Sequence, residues 1–135
     1  MEVAMRCVIT DNDAEGRSFV AKEIEITDAV TDLFVTDNVA ALTPLDDVVD
    51  WPNEMPPAGG VRWLFSQSEP GQSWDMHATP TIDLDVVLEG EANIILDSGT
   101  VTLSAGDSIL ITGRHGIEAG PEGCKMMIVL LGIGG

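Results

Sequence analysis

Apolar runs of strand length recur along this chain, punctuated by Gly, Asp, Asn and Pro, while apolar positions at helical spacing are scarce. That pattern predicts an all-β sandwich or barrel. Residues 5–10 (MRCVIT) and 18–26 (SFVAKEIEI) read as two strands, joined across the turn-rich 11–17 into a hairpin at Gly16. Residues 32–42 (DLFVTDNVAAL) read as a weaker third strand. The C-terminal half is more regular. Strands are expected at 61–67, 81–90, 91–96, 100–104, 109–112 and 124–132, with a tight turn at 97–99 and a loop over 113–123 (GRHGIEAGPEG).

Residues 43–60 break the alternation, with four prolines set among acidic residues. Proline has no N–H to give to a strand ladder, so this stretch is expected to be a loop. It carries Trp51 and Met55, and three roles are open to it: a lid, an oligomer contact or a plain surface connection.

The stretch SWDMHATPTIDLDVVLEG (residues 73–90) holds one of the two histidines. If the chain is extended from Met76, side chains alternate between faces, and His77, Thr79, Thr81 and Asp83 share one of them. Such a polar row faces either water or a pocket. The run continues into LDVVL, apolar on both parities, which reads as buried. The other histidine, His115, follows the next three strands, an interval that brings it back beside His77 in a meandering sheet.

Composition narrows the function classes. The 135 residues, 44% hydrophobic, fit one domain (1–135) with a core of its own. A net charge of −17 repels nucleic acid and anionic lipid, so neither is expected as a partner. The acids are spread along the chain, which suits either a high-salt habitat or a generally acidic soluble protein. Cys7 and Cys124 make no disulfide framework and read as buried thiols. The start MEVAMRCVIT lacks the charge and apolar pattern of a signal peptide, and the apolar run near the C-terminus is too short to span a bilayer. A cytoplasmic protein is the expectation. There is no Gly-rich phosphate loop with Lys, no serine nucleophile elbow and no cysteine pair at zinc spacing.

Gly71, His77, Thr79, Asp83 and Gly90 resemble the first motif of the cupin superfamily, with Thr79 in place of the second His and Asp83 in place of the usual Glu. Gly106-Asp107, Gly113 and His115 resemble the second motif, one residue shorter than in many relatives and without its final Asn. The segment MHATPTIDLDVVLEGEANIILDSGTVTLSAGD is further similar to small bacterial and fungal cupins, with Leu84 in place of the usual Tyr. The resemblance implies a double-stranded β-helix (jelly-roll) barrel. Residues 1–60 would supply N-terminal strands and the Pro-rich loop, and residues 61–131 the core barrel with both motifs. It also implies a homodimer, since cupins commonly pair through N-terminal strands.

Carried over residue by residue, the resemblance makes His77, Asp83 and His115 a two-His, one-carboxylate set for one divalent ion: Fe(II), Mn(II), Ni(II) or Zn(II). The same three residues, with no metal, would serve as acid–base groups, since a neutral His beside an Asp is a competent proton shuttle. A third reading leaves both histidines as hydrogen-bonded barrel residues. Thr79, Thr81, Trp63 and Arg114 are candidate substrate contacts. Trp63 and Phe65 also read as strand core, Arg114 as the partner of a surface acid, Asp85 as the strand-mate partner of an Arg or a second carboxylate on the His77 face, and Trp51 and Trp74 as loop residues at a contact or pocket rim. Met76, Met126 and Met127 read as core filler. The resulting expectation is an enzyme doing proton-transfer chemistry (isomerisation, dehydration, decarboxylation or cyclisation) on a small carbonyl-containing or aromatic molecule. An Fe(II)-dependent dioxygenase and a non-catalytic ligand-binding cupin are the alternatives.

Overall fold

The computed structural model describes residues 5–49, 51 and 54–134. Strands β1 (Met5–Asn12) and β2 (Ser18–Ile26) form the expected hairpin, with Met5 opposite Ile26. Its turn is fixed by Asp13, whose carboxylate accepts the N–H groups of Glu15 and Arg17, each at 2.9 Å. Then follow β3 (Val61–Ser68), β4 (Ser73–His77), β5 (Thr81–Leu96), β6 (Gly99–Ser104), β7 (Ser108–Ile111) and β8 (His115–Gly132).

Two long strands organise the rest. β5, with 16 residues, and β8, with 18, pair antiparallel from Thr81 opposite Gly132 to Ile95 opposite Gly116. The first half of β5 also pairs with β7, and the last half of β8 with β3. The second half of β5 pairs with β6, and the start of β8 with β4. β1 joins the first group by a parallel pairing with β7. The two groups are the layers of a double-stranded β-helix, the barrel expected from sequence. Its core, including Val8, Val87, Ile94, Leu103 and Ile109, lies where inward-facing residues of both groups meet.

β5 and β8 cross from one layer to the other at a crease. Gly90 and Gly123 both have positive φ, +78° and +82°. A methyl group on Gly90 would sit 2.1 Å from the Gly123 carbonyl oxygen, far inside contact distance. The pairing register shifts at the same place, between Gly90 and Ala92. Glycine is required twice over, by φ and by the approach of the second backbone.

Three sequence expectations need correction. Residues 32–42 form no strand; the 3₁₀ turn Val39–Ala41 is their only regular element. Phe34, Val39 and Leu42 instead cover Ile82, Leu110 and Ile133 on the outer face of the sheet, while Val35 is left exposed. β5 does not end at Gly90 but bends there and runs on to Leu96. Residues 115–123 are strand rather than loop, β8 beginning at His115. Their glycines mark close contact, not turns: a methyl group on Gly120 would lie 2.8 Å from the Glu91 Cβ. Residues 43–60 are loop where described, apart from positions 50, 52 and 53, which lie outside the described residues. Among the described residues no helix is long and apolar enough to cross a membrane.

The crease makes a stability prediction. Gly90→Ala should lower the unfolding free energy by more than about 3 kcal/mol, in the range of severe backbone clashes. Gly71→Ala, at φ +72° with open space around it, should cost only the left-handed penalty of about 1–2 kcal/mol. Urea denaturation of both variants checks the difference; equal losses would remove the crease contact as the cause.

Candidate functional site

β4 ends at His77 and β8 begins at His115, and the two residues are directly paired across the strands. Their ring centroids are 4.5 Å apart. On its other side His77 meets the ring of Trp51 at 5.4 Å. His77 Nδ1 lies 2.7 Å from the Asp75 carbonyl oxygen, and His115 Nδ1 2.8 Å from that of Gly113. A carbonyl only accepts, so this network assigns the hydrogen to Nδ1 in both rings and leaves Nε2 with its lone pair.

The facing wall comes from the first half of β5. Asp83 and Asp85 share its inward face with Thr81, and all three are buried. Asp83 Oδ2 is 3.8 Å from His115 Nε2. Its Oδ1 accepts the Thr81 hydroxyl at 2.6 Å, and Thr81 in turn is 2.6 Å from the Thr79 hydroxyl. Asp85 Oδ1 is buried with no hydrogen-bond partner. Burial lifts the Asp83 carboxyl to about 7, against the opposing pull of the Thr81 hydroxyl. Burial, and then the charge of Asp83, also push Asp85 well above the usual carboxylate range. Burial lowers His115 to about 4, with the Gly113 carbonyl acting against it and the charge of His77 with it. Asp83 and His115 are therefore no ion pair between about pH 4 and 7. They are a carboxylic acid beside a neutral imidazole.

These groups open on a cavity of about 310 Å³. His77, Thr79, Asp83, Asp85 and His115 line it together with apolar Leu64, Ile117, Met126, Ile128 and Leu130. Trp51, Glu54 and Met55 from the proline-rich loop, and Trp74 from β4 rather than from a loop, complete the wall. Thr81 stands behind the lining and touches it through Asp83 and Thr79. Trp63 is neither core nor cavity wall. On β3 the inward positions are Arg62, Leu64, Ser66 and Ser68, which line the cavity, so Val61, Trp63 and Phe65 face outward, 62%, 72% and 52% exposed. Arg114 also lies off this cavity, 3.6 Å from the carboxylate of Asp97. Sequence reasoning missed Arg62, Ser66 and Ser68 as lining residues. Asp85 has no Arg partner among the described residues; it stands as a second carboxylate on the His77 face, continuing the row from His77 through Asp83.

The donor set does not fit the ion that the cupin resemblance implies. Among the described residues no three His, Cys, Asp or Glu side chains gather as a metal centre. Thr79 occupies the second-histidine position with its hydroxyl engaged by Thr81, and Thr81 holds Asp83 Oδ1.

No family model matches the chain, and no curated protein sequence matches it. Solved structures do. A cupin 2 conserved barrel domain protein from Leptotrichia buccalis is 25% identical with a TM-score of 0.51, over 63% of this chain but only 38% of that one. A protein of unknown function from Rhizobium leguminosarum is 24% identical with a TM-score of 0.51, over 56% of this chain and 74% of that one. A conserved protein with a double-stranded β-helix domain from Klebsiella pneumoniae is 24% identical with a TM-score of 0.50, over 62% of this chain and 82% of that one. The layers folded about β5 and β8, with a cavity between them, define a jelly-roll barrel. Within that class the chain has the fold of the cupin-type barrel domains.

The buried acids make stability depend on pH in a specific way. A carboxyl raised in the folded state contributes stability present below its unfolded value and lost as pH rises through the folded one. A lowered histidine contributes stability that is lost as pH falls below its unfolded value. Asp83, raised from 3.8 to about 7, and His115, lowered from 6.5 to about 4, therefore offset each other between about pH 4 and 6.5. Asp85 has no such counterpart. Asp85→Asn should gain stability relative to the parent as pH is raised above about 4, with a limiting slope of about 1.4 kcal/mol per pH unit. Parallel urea titrations at several pH values check this; a pH-independent difference would contradict it.

Proposed function

We propose that the barrel cavity takes a small organic molecule of carbonyl or aromatic character and moves protons on it, with Asp83 and His115 as the acid–base pair. The observation that carries this reading is the 3.8 Å approach of a carboxyl oxygen to an imidazole lone pair on the cavity wall. Burial sets the two groups in complementary protonation states. Asp83 gives its proton to a ligand oxygen, and His115 Nε2 takes one from a ligand carbon or hydroxyl. The imidazolium then returns its proton to the Asp83 carboxylate, so the pair is restored with no net gain or loss. His77, packed between Trp51 and His115, holds the second ring in place. Isomerisation, dehydration, decarboxylation and cyclisation all fit such a pair.

The test is hydrogen exchange in D2O, followed by NMR, on a panel of neutral ketones, keto acids and aromatic carbonyl compounds. Exchange into at least one is expected, steady between about pH 4 and 7 and falling as pH rises through the Asp83 value of about 7. It should drop by about two orders of magnitude or more in His115→Asn and Asp83→Asn. Binding without exchange would move the reading to a non-catalytic binding cupin. Stoichiometric iron in protein purified without a His-tag, with oxygen consumption, would move it to a dioxygenase.

We also propose that the protein works as a homodimer. The outward apolar row of Val61, Trp63 and Phe65 on β3 supports this reading, because a two-fold pairing would cover the same row on both copies. Light scattering should give a dimer mass for the parent and a monomer mass for Trp63→Ser/Phe65→Ser. A monomeric parent would end the proposal.

A further inference from the structure

The cavity wall is bipolar. Arg62 on β3 lies opposite Leu130 of β8, and Leu130 lies opposite Asp83 of β5; Leu64, Ile128 and Asp85 form the adjoining row. Two strand spacings, about 10 Å of backbone, therefore separate a guanidinium on one side from two carboxyls on the other. Among the described residues Arg62 is the only Lys or Arg that lines the cavity. Its Nη1 donates to the Glu54 backbone carbonyl at 2.9 Å, and no carboxylate of the described residues forms an ion pair with it.

The opposite side carries unpaired acceptors. Asp85 Oδ1 is buried without a partner. Thr81 gives its one hydroxyl hydrogen to Asp83, so the hydrogen between Thr79 and Thr81 must come from Thr79. Thr79 Oγ1 is thereby left as an acceptor on the cavity wall. A ligand group seated there has to bring hydrogens of its own.

Charge decides among the ligands that qualify. Glu54, Asp83 and Asp85 set three carboxyls against one guanidinium in the lining, and an ammonium beside Asp85 favours its ionised form over the neutral one that burial alone imposes. A simple organic acid would satisfy Arg62 but bring no hydrogens to Thr79 and Asp85. A simple amine would satisfy the carboxyls but leave Arg62 beside a cation. A zwitterion satisfies both ends and changes the net charge by nothing. We propose that the cavity binds a small amino acid, its carboxylate on Arg62, its ammonium on Thr79 and Asp85, and its apolar side chain against Leu64 and Ile128. The proposal rests on the reading of this cavity as the ligand site and names the class of molecule that enters it.

Isothermal titration with L-phenylalanine, its amine 2-phenylethylamine and its acid 3-phenylpropionate separates the contributions. The amino acid should bind about tenfold tighter than either relative, or more. Arg62→Gln should abolish its advantage over the amine, and Asp85→Asn its advantage over the acid. Arg62 is exposed, so its substitution tests recognition without disturbing the core. Equal affinity for the acid or the amine overturns the amino-acid class and leaves the cavity as a ligand site, as does a preference that survives both substitutions. Failure of all three to bind also overturns the class. The exchange panel above contains no amine, so it still decides separately whether the cavity acts on small molecules.

Discussion

The full-length pairing of β5 with β8 is the constraint on which the rest of the molecule depends. Neither layer is complete without one half of each strand, and every other strand from β3 onward pairs with one of the two. The pairing also assembles the site. It brings the start of β8, with His115 paired beside His77 of β4, to face Asp83 and Asp85 of β5 on the opposite wall. Residues far apart in sequence meet because two strands cross between layers, not because any local segment folds into a site.

The same architecture explains why the interior is chemically unusual. Strand alternation sends Asp83 and Asp85 inward together, and neither can turn away without moving the strand. Burial then holds both carboxyls toward their neutral form and His115 toward its own. On β3 the usual rule is inverted: Arg62, Ser66 and Ser68 point in, while Trp63 and Phe65 point out. An inward face that borders an open cavity rather than packed side chains accommodates polar residues, and the outer face is left apolar.

Much of this was legible in sequence. Period-two alternation and turn chemistry located most strands, and the spacing of His77, Asp83 and His115 anticipated that they would meet. The misses have physical causes. Residues 113–123 looked like a loop because they are rich in Gly and Pro, yet Gly116 and Gly120 are small so that Trp74 and Glu91 on the neighbouring strands can lie close. Residues 32–42 had the apolar content of a strand but no partner edge, and they became a cover instead. Trp63 was misread because aromatic residues on a strand usually face the core, and nothing local shows that this strand borders a cavity. Arg114 precedes β8, which begins at His115, and it pairs with Asp97, in line with its reading as the partner of a surface acid. The orphaned oxygen of Asp85 depends on what three strands leave unfilled, a property no single segment records.

The contact of Gly90 with Gly123 has a further meaning. It works as a mechanical stop: the two layers fold toward each other until one backbone meets the other, and no further. The width of the cavity is thus gauged by two residues outside its lining. Pocket size and pocket chemistry are written in separate parts of the chain, so a barrel of this build can be widened at its spine while the groups that touch the ligand stay as they are.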